Sequence, residues 1–139
     1  MQARIKWVEN AEFLGETGSG HAVAIDGPAE IGGRNLGPRP MELMLLSVGS
    51  CSAVDVVHIL KKARQPLATC EVEVTGERAE TDPKVFTSIH LHFIVSGNGL
   101  SETHVRRAVE LSAEKYCSAS IMLRQAARVT HDFELRSAG

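Results

Sequence analysis

The fold is decided by residues 40–60, PMELMLLSVGSCSAVDVVHIL, an apolar stretch that a proline opens and that carries a cysteine near its middle. Pro40 suits the first turn of a helix, where its missing N–H is not needed, and Glu42 follows where the helix dipole favours an anion. Basic residues favour a C-terminal end near Arg64, and Pro66 stops the helix. The stretch therefore predicts one helix from Pro40 to about Arg64.

This predicted helix is apolar on nearly every side, so every side needs a cover. At about 1.5 Å per residue it is roughly 37 Å long, whereas a domain of this size has a radius of gyration of about 14 Å. One domain of 139 residues can hardly cover such a helix alone. We therefore expect a homodimer.

The rest of the chain predicts an α+β fold in a single domain, residues 1–139, without repeats or linkers. Alternating or β-rich segments predict strands at residues 2–9, 12–16, 21–25, 68–80, 85–95 and 129–135. A loop rich in glycine and proline fills residues 26–40. Ser101 is a plausible N-cap for a helix to about Tyr116, and a short helix over residues 118–127 follows.

The composition excludes several classes of protein. Hydrophobic residues make up 43% of the chain and the formal net charge is −2, so we expect a globular protein that binds neither nucleic acid nor an anionic membrane surface. No segment is expected to reach the charge-free length of a membrane span, and the N-terminal residues lack the apolar run of a signal peptide. A cytoplasmic protein without a cofactor is the expectation. Three cysteines, an odd number, argue against a structural disulfide framework.

Two of these cysteines suggest dithiol redox chemistry. Cys51 lies in the middle of the long helix, so forming its thiolate requires a nearby cation or hydrogen-bond donor. Cys117 immediately precedes Ser118, a possible N-cap, and is expected to be better placed for ionisation because free N–H groups lie close. The alternative is that both are inert core thiols, as expected for Cys70 on its strand.

Two further polar patterns have chemical interpretations. The first is a stripe along one face of the long helix, made of Cys51, Asp55, His58 and Lys62. It is either a nucleophile with polar support or the one wet or interface-facing side of the helix. The second is His90 and His92, which share one face of a strand at a metal-ligand spacing. Partly exposed sheet histidines are the simpler interpretation, and no metal is predicted.

Four motifs together resemble the OsmC/Ohr family, and most closely its YhfA-like subgroup, over essentially the whole chain. They are GPRPME at residues 37–42, CSAVDVV at 51–57, IHLHFIV at 89–95 and KYCS at 115–118. The resemblance implies an OsmC-like intertwined homodimer, with a long central helix packed against an antiparallel sheet. It also implies two active sites at the subunit interface.

The resemblance further implies a peroxiredoxin-like hydroperoxide reductase that acts in the oxidative stress response. Cys51 would attack the O–O bond of a small-molecule peroxide and become a sulfenic acid. Cys117 would condense with it to a disulfide, which a small dithiol or a lipoyl protein would reduce. The implied catalytic residues are Cys51, Cys117, Glu42, Arg34 and Arg39.

The chain departs from the family pattern at two positions. Peroxidases of the family carry a glutamate directly after the helix-opening proline, where this chain has Met41 and places Glu42 one residue later. They also use an arginine from the N-terminal strands, whereas residues 17–21 here read TGSGH. Arg34 and Arg39 are candidate replacements, with His21 a weaker one. Both departures favour an alternative, a non-catalytic small-ligand-binding protein on the same scaffold.

Overall fold

The chain divides after Met44 into two structural units, an N-terminal unit of residues 1–44 and a C-terminal unit that begins at Leu45. A computed structural model describes residues 1–138. Its helices and two three-stranded sheets confirm the predicted α+β class. Each predicted strand and helix has a counterpart, with ends shifted by a few residues.

The N-terminal unit is an antiparallel meander in the order β1-β2-β3. Its strands are β1 (Ala3–Glu9), β2 (Glu12–Thr17) and β3 (Ala22–Ile25). The predicted turn between β2 and β3 is present, and Gly20 takes a φ of 94° there. That left-handed conformation suits a residue without Cβ.

The loop after β3 is organised by one buried carboxylate, Asp26. Its oxygens accept hydrogen bonds from the backbone N–H groups of Gly27 at 2.8 Å, Arg34 at 3.0 Å and Leu36 at 3.2 Å. The bonds from Arg34 and Leu36 contribute most to holding the pKa of Asp26 below its ordinary value. The glycine- and proline-rich segment is therefore ordered by hydrogen bonds rather than by regular structure, apart from a 3-10 turn at Ala29–Ile31.

The long helix, α1, runs from Pro40 to Lys62. It stops just short of the predicted end, and Arg64 takes a left-handed φ of 57°. Its buried residues recur at helical spacing on one face: Val48, Gly49, Ser52, Val56 and Leu60. Other faces are open, and Leu46 and Val54 are 61% and 68% exposed.

By length and composition α1 is apolar enough to cross a membrane, although Asp55 interrupts its apolar stretch and leaves it short of the charge-free length considered above. Its most apolar 18-residue window has a mean hydropathy of 1.8. One such helix is weak evidence for a membrane protein, because the core helix of a soluble protein has the same length and composition.

The C-terminal unit is built on a second sheet in the order β4-β5-β6. Its strands are β4 (Thr69–Arg78), β5 (Phe86–Ser96) and β6 (Arg128–Arg136). The predicted hairpin of β4 and β5 is present, and β6 lies parallel to β5. Alternate residues of β5 form the core, since Ile89, Leu91, Phe93 and Val95 are buried. His90 and His92 point to the opposite face.

The segment after β5 differs from its prediction. Ser101 caps α2 (Glu102–Leu111), as expected, by accepting a hydrogen bond from the N–H of His104 at 3.3 Å. The helix does not continue to Tyr116, because Ser112–Tyr116 form a wider π turn. The short helix α3 (Ser118–Leu123) is capped by Cys117 and not by Ser118. This places the second cysteine inside the helix junction.

Candidate functional site

Cys51 and Cys117 meet in the C-terminal unit. Cys51 is half-buried on α1, and Cys117 is completely buried between the π turn and α3. Cys51 is near enough to Cys117 to contribute to the raised pKa of its thiol, and Cys117 Sγ lies 4.0 Å from the carbonyl oxygen of Val48, about one turn before Cys51 on α1. Both cysteines are present as free thiols. The structure therefore brings together the two residues that the sequence singled out, although they come from different elements.

The surroundings of Cys117 favour its protonated form. Burial is the main cause that raises the pKa of the Cys117 thiol to about 11, with smaller contributions from the neighbouring Cys51 and the Asp55 carboxylate. One contact acts in the opposite direction, because the N–H of Ser120 donates to Cys117 Sγ at 3.3 Å. The expectation that Cys117 is the better placed thiol for ionisation is wrong, since the loss of hydration outweighs that single donor.

A chain of hydrogen bonds lies beside the two thiols. The Ser52 and Ser112 hydroxyls are 2.9 Å apart, and Ser112 Oγ donates to Asp55 Oδ2 at 3.0 Å. Ser52 and Ser112 are both buried. The predicted polar stripe on α1 is thus divided. Its Asp55 is hydrogen-bonded to the π turn, whereas its His58 and Lys62 are exposed.

The other three predicted catalytic residues have partners in the N-terminal unit. Arg34 Nη2 contacts Glu9 Oε1 at 2.5 Å and Glu12 Oε1 at 3.7 Å, and the hydrogen bond to Glu9 chiefly raises the pKa of Arg34.

Arg39 and Glu42 form a cap at the start of α1. The N–H of Arg39 donates to Glu42 Oε1 at 2.9 Å, and Arg39 Nη1 lies 3.8 Å from the same oxygen. This is the reciprocal half of a capping box, in which the third helical residue bonds the N-cap N–H. Capping the helix therefore explains why the carboxylate is at position 42, the third residue of α1, and not at position 41.

The histidine pair belongs to a polar ladder on the outer face of the second sheet. His90 and His92 both contact Asp132 Oδ1, at 2.9 Å and 2.6 Å, and His92 also lies 3.3 Å from Glu134 Oε2. Within residues 1–138, no group of three or more histidines, cysteines or acids is arranged to hold a metal ion. The pair is therefore a set of partly exposed, hydrogen-bonded sheet histidines.

The third cysteine is separate from this chemistry. Cys70 is half-buried on β4, opposite Val95 of β5. Burial is the main cause that raises the pKa of its thiol, with a smaller effect of Glu71. Cys70 therefore serves as a less reactive reference thiol within the same chain.

The sequence analysis missed Ser112, although one signal for it was present. Ser112 follows Val105, Ala108 and Val109 on the buried face of the predicted helix. A hydroxyl at a buried position requires a hydrogen-bond partner. The partner itself was not predictable, because Asp55 lies 57 positions earlier in the chain.

Comparison with known proteins points to one family. Residues 32–132 match the profile of the OsmC-like protein family. The chain is 51% identical over 138 residues to Protein YhfA of Escherichia coli (strain K12), covering 99% of this chain and 100% of that one.

Solved structures give the same result for the fold. A hypothetical protein from Aquifex aeolicus VF5 has a TM-score of 0.87 at 33% identity, covering 99% of this chain and 97% of that one. A more distant match is a Legionella pneumophila protein described as an organic hydroperoxide resistance protein OsmC. Its TM-score is 0.72 at 20% identity, with 96% of this chain and 95% of that one covered.

Proposed function

Because the chain belongs to the OsmC-like family, we propose that it reduces hydroperoxides, organic ones in particular, through the Cys51 and Cys117 pair. The observation that carries this proposal is that Cys117 packs on α1 within about one turn of Cys51, with its Sγ 4.0 Å from the carbonyl oxygen of Val48 and its pKa raised in part by Cys51. A buried thiol with a raised pKa suits the resolving role, since it stays protonated until a sulfenic acid forms beside it. Cys51, the more exposed of the two, suits the attacking role.

The proposed reaction has two oxidative steps. The Cys51 thiolate attacks one peroxide oxygen, the O–O bond breaks, and the alkoxide leaves and takes up a proton as the alcohol. The sulfur of Cys51 is oxidised to a sulfenic acid. The Cys117 sulfur then attacks Cys51, an S–S bond forms, and the sulfenic hydroxyl leaves with the Cys117 proton as water. A dithiol, free or carried by a lipoyl protein, exchanges with this disulfide and restores both thiols.

We propose that Arg34 and Arg39 supply the positive charge that the Cys51 thiolate requires, and that Glu42 orients Arg39. The contact between Arg39 and Glu42 supports the second role. Replacing either arginine by glutamine is expected to slow the reaction with peroxide at neutral pH. An unchanged rate in both variants would remove them from the site.

We also propose that the protein works as a cytoplasmic homodimer. Apolar side chains that are open in a single chain support this assembly, among them Trp7 at 67% and Val54 at 68% exposure. Exposed apolar area of this kind marks interaction surfaces.

The test of the activity is peroxide consumption by the purified, reduced protein with a dithiol reductant. Wild type and Cys70→Ser are expected to turn over an organic hydroperoxide, whereas Cys51→Ser should consume none. Wild-type turnover in Cys51→Ser would exclude the proposed chemistry.

A second candidate function is the non-catalytic binding of a small apolar ligand. A pocket in the N-terminal unit favours it, with a volume of about 310 Å³. Its lining is mostly apolar and includes Ala11, Phe13, Ile25, Ile31 and Pro40. This volume lies at the lower end of the range for ligand sites. Native mass spectrometry of freshly purified protein tests this alternative, which predicts a co-purifying apolar molecule and no peroxide turnover.

A further inference from the structure

A chain of three hydrogen-bonded side chains, two of them buried, joins α1 to the π turn. Ser112 Oγ donates to Asp55 Oδ2 at 3.0 Å and lies 2.9 Å from Ser52 Oγ. A hydroxyl has a single proton, and the carboxylate oxygen at 3.0 Å is both closer to Ser112 Oγ than the Ser52 carbonyl oxygen at 3.4 Å and charged. We therefore assign the Ser112 proton to Asp55, which makes Ser52 the donor to Ser112. The chain is thus directed from Ser52 through Ser112 to the charge on Asp55.

Ser112 also holds the backbone of the second cysteine. The N–H of Cys117 donates to the carbonyl oxygen of Ser112 at 2.8 Å, which is the hydrogen bond that closes the π turn. Asp55 follows Cys51 by one turn on the same face of α1. One residue, Ser112, is therefore bonded both to the backbone of Cys117 and to the helical turn next to Cys51.

A π turn inside a helical segment calls for a local reason, because such turns are rare and frequently lie at functional sites. Here the turn begins at Ser112 and ends directly before Cys117. A regular helix through residues 112–116 would rotate the chain differently and change the direction in which Cys117 points. The hydrogen bond from Ser112 to Asp55 fixes the start of that turn against α1.

We propose that Asp55 and Ser112 are positioning residues that hold the Cys117 thiol against Cys51 for disulfide formation. This inference rests on the proposed redox role of the two cysteines. The pair of residues is called the Asp55–Ser112 clamp below. Neither residue exchanges atoms with peroxide or reductant, because their effect is to set the distance and direction between the two sulfurs.

The charge of the clamp has a second consequence. The Asp55 carboxylate is one of the groups that raise the pKa of Cys117. A protonated Cys117 carries the proton that leaves with the sulfenic hydroxyl as water. Geometry and charge are separable, since asparagine at position 55 keeps an oxygen that accepts from Ser112 but has no charge.

The test is a redox equilibrium that involves no peroxide. The intact protein is equilibrated with mixtures of glutathione and glutathione disulfide, and the Cys51–Cys117 disulfide is quantified by mass spectrometry. Asp55→Ala and Ser112→Ala break the clamp. Each is expected to lower the equilibrium constant for disulfide formation at least tenfold, which is a shift of about 30 mV for a two-electron couple. Asp55→Asn keeps the clamp and is expected to stay close to wild type.

The pH profile separates positioning from a general loss of structure. In Asp55→Asn, the rate of disulfide formation with glutathione disulfide is expected to rise at lower pH than in wild type, because the pKa of Cys117 falls. Ser112 is buried and its variant can lose stability, so Asp55→Ala, at a half-buried position, is the decisive variant. Its circular dichroism spectrum at the assay temperature must match that of wild type.

Wild-type equilibrium constants in both Asp55→Ala and Ser112→Ala would overturn the inference. An equal loss in Asp55→Asn and Asp55→Ala would also overturn it, since charge and not the hydrogen bond would then be the cause. The proposed function fails in a different way: wild type would form the disulfide with glutathione disulfide but leave hydroperoxides unreacted.

Discussion

At the scale of single residues, the two thiols of the site are unequal. Cys117 is completely buried and its pKa is raised to about 11, whereas Cys51 is partly open. A site with one protonated thiol avoids placing two negative charges next to each other. The inequality assigns attack to Cys51 and resolution to Cys117 within the proposed reaction.

This assignment predicts the behaviour of Cys117→Ser. The variant retains Cys51 and is expected to consume one equivalent of hydroperoxide and then stop, because no resolving thiol is present. Mass spectrometry with a sulfenic acid trap should find the modification on Cys51. Cys70→Ser serves as the control and should turn over normally. Sustained turnover by Cys117→Ser would assign resolution to another thiol.

At the scale of elements, Gly49 of α1 lies close against the second sheet. A Cβ at this position would lie 2.8 Å from Cγ2 of Val74 on β4. Alanine is favoured over glycine in a helix by about 1 kcal/mol, but overpacking a core costs about 1–3 kcal/mol. The Val74 side chain is branched and restricted at χ1, so the cost of the clash is expected to exceed the gain from the helix preference of alanine.

Gly49→Ala is therefore expected to lower the free energy of unfolding by about 1 kcal/mol, as measured by chemical denaturation at fixed protein concentration. The matched control is the same substitution in a Val74→Ala background, where the room is available and the helix preference should make it stabilising. A stabilising effect of Gly49→Ala in the wild-type background would contradict this packing.

The pairing of β5 with β6 predicts a pH dependence of stability. Hydrogen bonding to Asp132 is the leading cause that raises the pKa of His92, with a further contribution from Glu134. Glu73 is the paired residue of His92 on β4. Since the folded pKa exceeds the unfolded one, His92 stabilises the fold fully below about pH 6.5, and this contribution is lost as the pH rises through the raised pKa.

His92→Gln should remove this part of the pH dependence. The melting temperature of wild type is expected to fall more between about pH 6 and about pH 8 than that of the variant. Asp132→Asn should flatten the profile in the same way, because it removes the main partner of His92. A profile of His92→Gln that is as steep as that of wild type would contradict the proposed ion pair.

Most elements could be predicted from the sequence because their signals are local. The helix-opening proline, the alternation of β4 and the Ser101 cap are each contained within a few residues. The π turn could not be predicted, since its side-chain pattern over five residues resembles that of a helix and the hydrogen bond that ties its first residue, Ser112, to Asp55 joins distant segments. The packing of Cys117 on α1 near Cys51 likewise joins distant segments, so spacing only suggested it.

At the scale of the whole molecule, the open apolar sides of α1 remain the main feature that one chain does not explain. The sequence predicted them from the all-round apolar pattern, and the structure leaves Leu46 and Val54 open. No local sequence pattern identifies the surface that covers these sides, because that surface belongs to another chain in the proposed assembly. In the proposed homodimer, the partner subunit covers these apolar sides of α1.

The homodimer predicts a mass of twice the 15.0 kDa of one chain in sedimentation or light scattering. Val54→Glu should shift the protein toward the monomer or toward aggregates, because a charge would be buried in the interface. Val85→Glu is the matched control, since Val85 is 50% exposed in the connection before β5. A monomeric wild type at micromolar concentration would contradict the proposed assembly.

The central claim is that Cys51 and Cys117 form a peroxide-reducing pair, and one measurement tests it directly. The fully reduced protein is treated with one equivalent of an organic hydroperoxide, and its thiols are mapped by mass spectrometry over time. We expect a rapid, specific disulfide between Cys51 and Cys117, with Cys70 unchanged. Unreacted thiols, or slow oxidation spread over all three cysteines, would contradict the claim.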